Sequence, residues 1–168
     1  MATMEPLSPA EESLWRALMH IVKALPRILD TDLIQGSGLS TSEYSAIMHL
    51  SEAPNRELRM NDLAGACGLS GSRMTRLVDD LQSRSLVTKV ASSTDARGNV
   101  AKLTARGMKK LRAAWPVHLH SVRTRFLDHV DVASVEVVSD ALSAVADRLE
   151  AAGRERRARS RPVHRLWL

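Results

Sequence analysis

Leu63-Ala64-Gly65-Ala66-Cys67-Gly68-Leu69-Ser70-Gly71-Ser72-Arg73-Met74-Thr75-Arg76-Leu77-Val78 is the stretch on which the fold turns. Two helices that cross closely need a small residue at the crossing, and Ala64 supplies it. The turn between them needs a residue that tolerates positive φ, and Gly68 stands four positions later. The second helix needs an apolar inner face. Met74, Leu77, Val78 and Leu81 provide it at i, i+3, i+4 and i+7. Its outer face, near the N-terminal end, carries Ser72, Arg73, Thr75 and Arg76, with Ser70 as the cap. In a helix-turn-helix that end enters the major groove, where such side chains reach base edges or phosphates. An ordinary helical hairpin would satisfy the same Ala-x-x-x-Gly spacing, so the flanks must decide.

Downstream, the runs Leu86 to Ala91 and Asn99 to Leu103 have β character and enclose the polar loop Ser92 to Gly98, which predicts a hairpin. A ribbon directly after such a helix makes a wing. Its tip holds Asp95 and Arg97. An arginine inserted into a minor groove meets strong negative potential, and Asp95 would orient the Arg97 side chain.

Upstream, Ser8-Pro9-Ala10-Glu11 predicts a capping box with proline at the first helical position. Leu14, Leu18, Ile21, Leu25 and Ile28 then form one apolar stripe, with a kink expected at Pro26. Gly36-Ser37-Gly38 ends this helix, and Ser40-Thr41-Ser42-Glu43 opens a second box flanked by Leu39 and Tyr44. A short helix through Leu50 follows, stopped by Pro54, and a third spans Met60 to Cys67. After the hairpin, Thr104 caps a long helix striped by Met108, Leu111, Trp115, Leu119, Val122 and Phe126. Pro116 is a second kink position within it. The last helix carries Val135, Val138, Leu142, Val145 and Leu149, and Gly153 is expected to end it before a frayed Arg-rich tail, residues 154–168.

Charge follows the same plan. Residues 1–53 hold three Lys and Arg against seven Asp and Glu, whereas residues 54–112 hold twelve against five. Residues 113–153 hold three against six, and the tail holds six against one. The cation is therefore concentrated in the helix-turn-helix and hairpin, as a phosphate-facing lobe requires. Aromatic residues make up only 3% of the chain, so the core must be built from aliphatic side chains, which favours helices.

These motifs resemble the MarR family of bacterial regulators. The likeness rests on Asp95-x-Arg97 in the wing, Leu103-Thr104-x-x-Gly107 at the start of the long helix, the helix-turn-helix, and Leu39-Ser40-x-x-Glu43-Tyr44. It covers residues 10–152. The resemblance implies a mainly α fold with a small β-hairpin wing, with residues 40–104 as a winged-helix DNA-binding lobe. Residues 8–35 and 105–152 become dimerisation helices of a single domain, 1–153. It also implies that Arg97 is the wing arginine, Asp95 its partner, and double-stranded DNA and a second copy of the chain the partners. Two departures stand out. Gly98 replaces a frequent second basic residue near the wing tip, and the basic tail lies outside the family pattern.

Relatives in that family bind small aromatic or phenolic acids between dimer helices and DNA lobe. Trp15, Tyr44, Met48, Arg112 and Trp115 have suitable types, although both tryptophans also lie on or beside apolar stripes. The single cysteine, Cys67, falls where a small core hydrophobe belongs, and it excludes an intramolecular disulfide. His118 and His120 point to different faces of one helix, so neither a metal nor a cofactor is expected. No glycine-rich phosphate loop or nucleophile elbow argues for catalysis. The acidic N-terminus lacks the order of a signal peptide, and no stretch is apolar enough to span a membrane, so a cytoplasmic protein is expected. The function expected is a sequence-specific repressor relieved by a ligand. A winged-helix protein-interaction module and a nonspecific nucleoid protein are the alternatives.

Overall fold

Both capping boxes form in the computed structural model, which describes residues 5–91 and 99–159. Ser8 Oγ accepts the Glu11 amide at 3.3 Å while the Ser8 amide donates to Glu11 at 2.7 Å, opening α1 (Pro9–Ser37). Ser40 and Glu43 repeat the exchange at 3.2 and 2.6 Å to open α2 (Thr41–Glu52). Each box satisfies two of the amide donors that a helix start leaves unpaired. Between them, Gly38 at φ +65° ends α1 in the left-handed conformation that glycine adopts without strain. Leu39 and Tyr44, the flanking pair, are both buried.

The helical lobe continues with α3 (Met60–Ala66) and α4 (Gly71–Ser83). Strands β2 (Val87–Ala91) and β3 (Asn99–Leu103) follow, then α5 (Ala105–Arg125). Both α1 and α5 remain single helices through Pro26 and Pro116. One core joins these elements: Leu33 from α1, Ile47 and Leu50 from α2, Leu63 from α3, Met74, Val78 and Leu81 from α4, and Ala114 from α5. All eight are fully shielded from solvent.

The expected two-stranded hairpin is part of a larger sheet. A short strand, β1 (Glu57–Arg59), pairs antiparallel with β3, giving the order β1-β3-β2. Leu58 faces Ala101 in register, and Lys102 reaches Glu57 at 3.2 Å. Three residues are too few to show a period-two pattern, and the turn before them places Asn55 and Arg56 at positive φ without a glycine to announce it.

Between α1 and α5 the backbones come close. A Cβ at Gly36 would fall 2.6 Å from Val117 Cγ1. One turn earlier on α1, Asp32 accepts from Ser121 Oγ at 2.5 Å and from Arg125 at 3.1 and 3.3 Å. The Arg125 guanidinium, and then the Ser121 hydroxyl, hold the Asp32 carboxyl below its ordinary range. A carboxyl whose pKa is lowered on folding stabilises above its unfolded value, and that contribution is lost as pH falls through the lowered one. Asp32→Asn should therefore reduce the thermal midpoint modestly at neutral pH, with the difference from the parent closing below about pH 4. Thermal melts across that range check this, and a gap that persists in acid would rule it out.

Leu127 begins a second compact unit, with short 3₁₀ turns at Leu127–His129 and Val132–Ser134 before α6 (Val135–Arg159). The expected end at Gly153 is corrected here. Helix continues to Arg159, because the following Arg, Glu and Ala residues are strong helix formers that outweigh one glycine. Residues 160–168 of the expected tail lie outside the described residues. Along α6, Val137, Leu142, Val145 and Leu149 are exposed.

Candidate nucleic-acid interface

The crossing of α3 and α4 has the geometry that its sequence demands. Ala64 is buried, and its carbonyl accepts the Leu69 amide at 2.9 Å across the turn. Gly68, at φ +63°, carries the chain round and donates to Gly65 at 3.1 Å. Ser70 then caps α4, its Oγ accepting the Arg73 amide at 3.4 Å and lying 3.3 Å from Ser72 Oγ.

The two faces of α4 separate as expected. Met74, Val78 and Leu81 are buried, whereas Ser72, Arg73, Thr75 and Arg76 are exposed. Arg73 and Arg76 make no ion pair among the described residues, so their guanidinium groups are available to an external acceptor. Thr75 Oγ1 donates to the Gly71 carbonyl at 2.9 Å, and as a hydroxyl it can still accept.

Three ion pairs that sequence reading missed fix the far part of α4. Lys89 on β2 pairs with Asp79. Arg84, at the C-cap, pairs with both Asp80 and Glu43 and donates to the Gly38 carbonyl at 2.9 Å. Asp80 is a helical neighbour four positions back, but Glu43 and Gly38 lie 41 and 46 positions away, beyond any local pattern. Asp95 and Arg97 at the wing tip lie outside the described residues.

Cys67 is the C-cap of α3 and half-buried. Burial pushes its thiol up, against the weaker opposing pull of Ser45 Oγ at 3.8 Å. Little thiolate forms at neutral pH, so peroxide has little to attack. Cys67→Ala should bind DNA within about twofold of the parent, and mild peroxide should release neither. Release in the parent that vanishes in the variant would show a redox role instead. Among the described residues, no three His, Cys, Asp or Glu side chains gather as a metal site would require.

Of the five ligand candidates, the structure brings Tyr44 and Trp115 to one place, about a residue not counted among them. The His118 ring lies 4.6 Å from that of Tyr44 and 6.3 Å from that of Trp115. Tyr44 Oη, His118 Nδ1 and Thr41 Oγ1 are buried without a hydrogen-bond partner among the described residues. Burial lowers the His118 imidazole below its usual range and raises the Tyr44 phenol, the latter helped by the charge of Glu52. Met48 packs against the core and Arg112 is exposed on α5. Trp15 lines a different groove, with Leu7, Glu11, Leu14 and Leu18 at the start of α1.

The sequence profile of the MarR family matches residues 37–98, from the end of α1 to the edge of β3. The transcriptional repressor MprA of Escherichia coli K12 is 26% identical over 84 residues, half of this chain and 48% of that protein. The match thus spans about half the length of that relative. Similarity to solved structures runs further. Sco3205, a MarR family regulator of Streptomyces coelicolor solved in complex with DNA, superposes with a TM-score of 0.81 at 28% identity, covering 89% of this chain and 93% of that one. AbsC, from the same organism, gives a TM-score of 0.80 at 30% identity over 88% of this chain and 99% of its own. With that identity maintained along nearly the whole length of both, on one fold, this chain belongs to the MarR family of transcriptional regulators.

Proposed function

We propose that this regulator binds a pseudo-palindromic DNA operator as a homodimer, represses from it, and is released by a small aromatic or phenolic ligand. The observation that carries the reading is the outer face of α4, where Ser72, Arg73, Thr75 and Arg76 are exposed over an inner face on which Met74, Val78 and Leu81 are buried and Leu77 is half-buried. The relation to Sco3205, itself solved with DNA, supports it. In this reading Ser70 holds the N-terminal end of α4 in the major groove, and Arg97, oriented by Asp95, serves the minor groove. Residues 40–104 act as the DNA lobe of one domain, 1–153, with residues 8–35 and 105–152 as dimerisation helices.

Dimerisation is supported by apolar surface without cover in the single chain. Leu14 is 72% exposed, Val22 55% and Trp15 54%, all on α1. Large apolar side chains left that exposed along one helix are what a second chain would cover. The ligand reading is supported by the unpartnered polar atoms of Thr41, Tyr44 and His118, since a buried polar group without a partner costs about 1–3 kcal/mol. A ligand hydroxyl or carboxylate entering beside Trp115 and His118 would give such atoms a partner.

Sedimentation of the full chain at micromolar concentration should give a dimer, and Leu14→Asp with Val22→Asp should shift it to monomer and abolish operator binding. Selection from random duplexes should then return an inverted repeat. A folded monomer in the parent, or no enriched sequence, would defeat the proposal.

A further inference from the structure

Arg84, Arg106, Lys109 and Lys110, together with Leu86 and Ala113, line an open pocket of about 360 Å³ whose wall is largely apolar. Among the described residues, no carboxylate lines it. The pocket exists because α5 starts hard against the beginning of β2. Thr104 donates to the Leu86 carbonyl from its amide at 3.1 Å and from Oγ1 at 3.0 Å. Gly107 comes so close that a Cβ there would lie 2.1 Å from the same oxygen. That contact sets the first two turns of α5, and their cations, beside the C-cap of α4. Two independent distances show the convergence. Arg84 donates to the Gly38 carbonyl at 2.9 Å, and Lys110 Nζ lies 3.7 Å from where a Gly38 Cβ would stand.

The charge is not balanced within the chain. Arg84 is neutralised by Glu43 and Asp80, but Arg106, Lys109 and Lys110 make no ion pair among the described residues. They stand at i, i+3 and i+4, where like charges repel. The first turn of α5 also has no acidic residue to relieve them. The cluster lies apart from the exposed face at the start of α4. The pocket is at the C-terminal end of α4, about 20 Å along a 13-residue helix from the end that holds Ser72 and Arg73.

We propose that this pocket binds a small molecule bearing a pyrophosphate or comparable polyanionic phosphoryl group. A monocarboxylate would neutralise one of the three unpaired cations, whereas a pyrophosphate can answer all of them. Lysine ammonium groups act as point charges toward phosphate, and the Arg106 fork can bind two oxygens at once. Leu86, Ala113 and the aliphatic stems of the lysines offer an apolar wall, which favours an organic carrier over the free ion.

The test is calorimetric titration of the full chain, at low salt and without DNA, with inorganic pyrophosphate, ADP and benzoate. Pyrophosphate and ADP should each bind saturably at one site per chain, with benzoate at least about tenfold weaker. ADP binding the tighter of the two supports an organic carrier, and pyrophosphate binding alone supports the free ion. Arg106→Ser with Lys109→Ser, both exposed and therefore tolerant of change, should weaken pyrophosphate by at least about tenfold and keep the parent's circular dichroism. Arg76→Ala should bind it unchanged. The proposal is overturned if no saturable binding occurs at millimolar pyrophosphate, or if the double variant binds as the parent does. It is also overturned if the double variant loses only salt dependence in DNA binding, by about one unit per cation removed, which would make the cluster a DNA backbone contact.

Discussion

Gly107→Ala is expected to remove about 3 kcal/mol of stability, a large share of the roughly 5–15 kcal/mol that holds a domain folded. The added methyl would sit 2.1 Å from the Leu86 carbonyl oxygen, 2.6 Å from Leu103 Cδ1 and 3.1 Å from the Leu86 carbonyl carbon. Two of those atoms belong to backbone that already accepts the Thr104 cap, so neither can rotate aside. Relief requires α5 to lift off β2, which breaks the Thr104 bonds and opens the core at Leu103 and Leu111. Gly65 provides the contrast. It lies inside α3, and nothing stands within 4 Å of a Cβ built on it. Gly65→Ala should raise stability by about 0.5–1 kcal/mol, because a helical glycine costs that much relative to alanine. Chemical denaturation of both variants at one chain concentration checks the pair of signs. Equal effects at the two positions would mean that the approach of α5 to β2 is not close.

Loss of the recognition-helix arginines should change which DNA is bound, not only how tightly. A bidentate arginine on a base is worth about 1–3 kcal/mol of discrimination at that base pair, up to roughly a hundredfold. A phosphate contact adds about one unit to the salt dependence and tells no sequences apart. Arg73 and Arg76 are exposed on the outer face of α4, close to the Ser70 cap. At least one of Arg73→Ala and Arg76→Ala should flatten preference at one or two base pairs in each half-site. Arg97→Ala should weaken selected and random duplex together and make the salt dependence shallower. Affinity measured against salt for each variant, on selected, singly altered and random duplexes, separates the two roles. If all three variants remain dimers and bind the selected site as the parent does, the docking reading fails and a protein-interaction module takes its place.

The parts of the fold that could be seen in the sequence are those whose causes are local. Ser8 with Glu11, and Ser40 with Glu43, announce helix starts because the bonds they make span three residues. Gly68 and Met74 to Leu81 announce the turn and the buried face for the same reason. The MarR resemblance, drawn from motifs inside residues 39–107, is carried by the comparisons over most of the chain. What escaped depends on distant partners. Strand β1 gains its identity only from β3, and its three residues carry no periodic signal. His118 looked like an ordinary helix histidine until Tyr44, on another helix, was placed 4.6 Å from it. Trp15 and Trp115 have the same chemistry in the sequence, yet the fold sets Trp15 in a groove at the start of α1 and Trp115 beside His118. Each of the lysines and arginines at 84, 106, 109 and 110 reads as a solvated surface charge, and only the seating of Gly107 gathers them.

Glu43 ends up with a divided allegiance. One carboxylate oxygen holds the amide of Ser40, the cap of α2, and the other holds Arg84, the residue on which α4 terminates. The end of α4 is thus tied to the start of α2 through one planar group, beside the core that the two helices share, much as a bracket braces two beams. Anything that draws Arg84 away leaves the start of α2 intact while freeing the end of α4. A neutral glutamine at position 43 would keep the cap and slacken only the bracket, so the aim of the recognition helix can be tuned separately from the stability of the lobe that carries it.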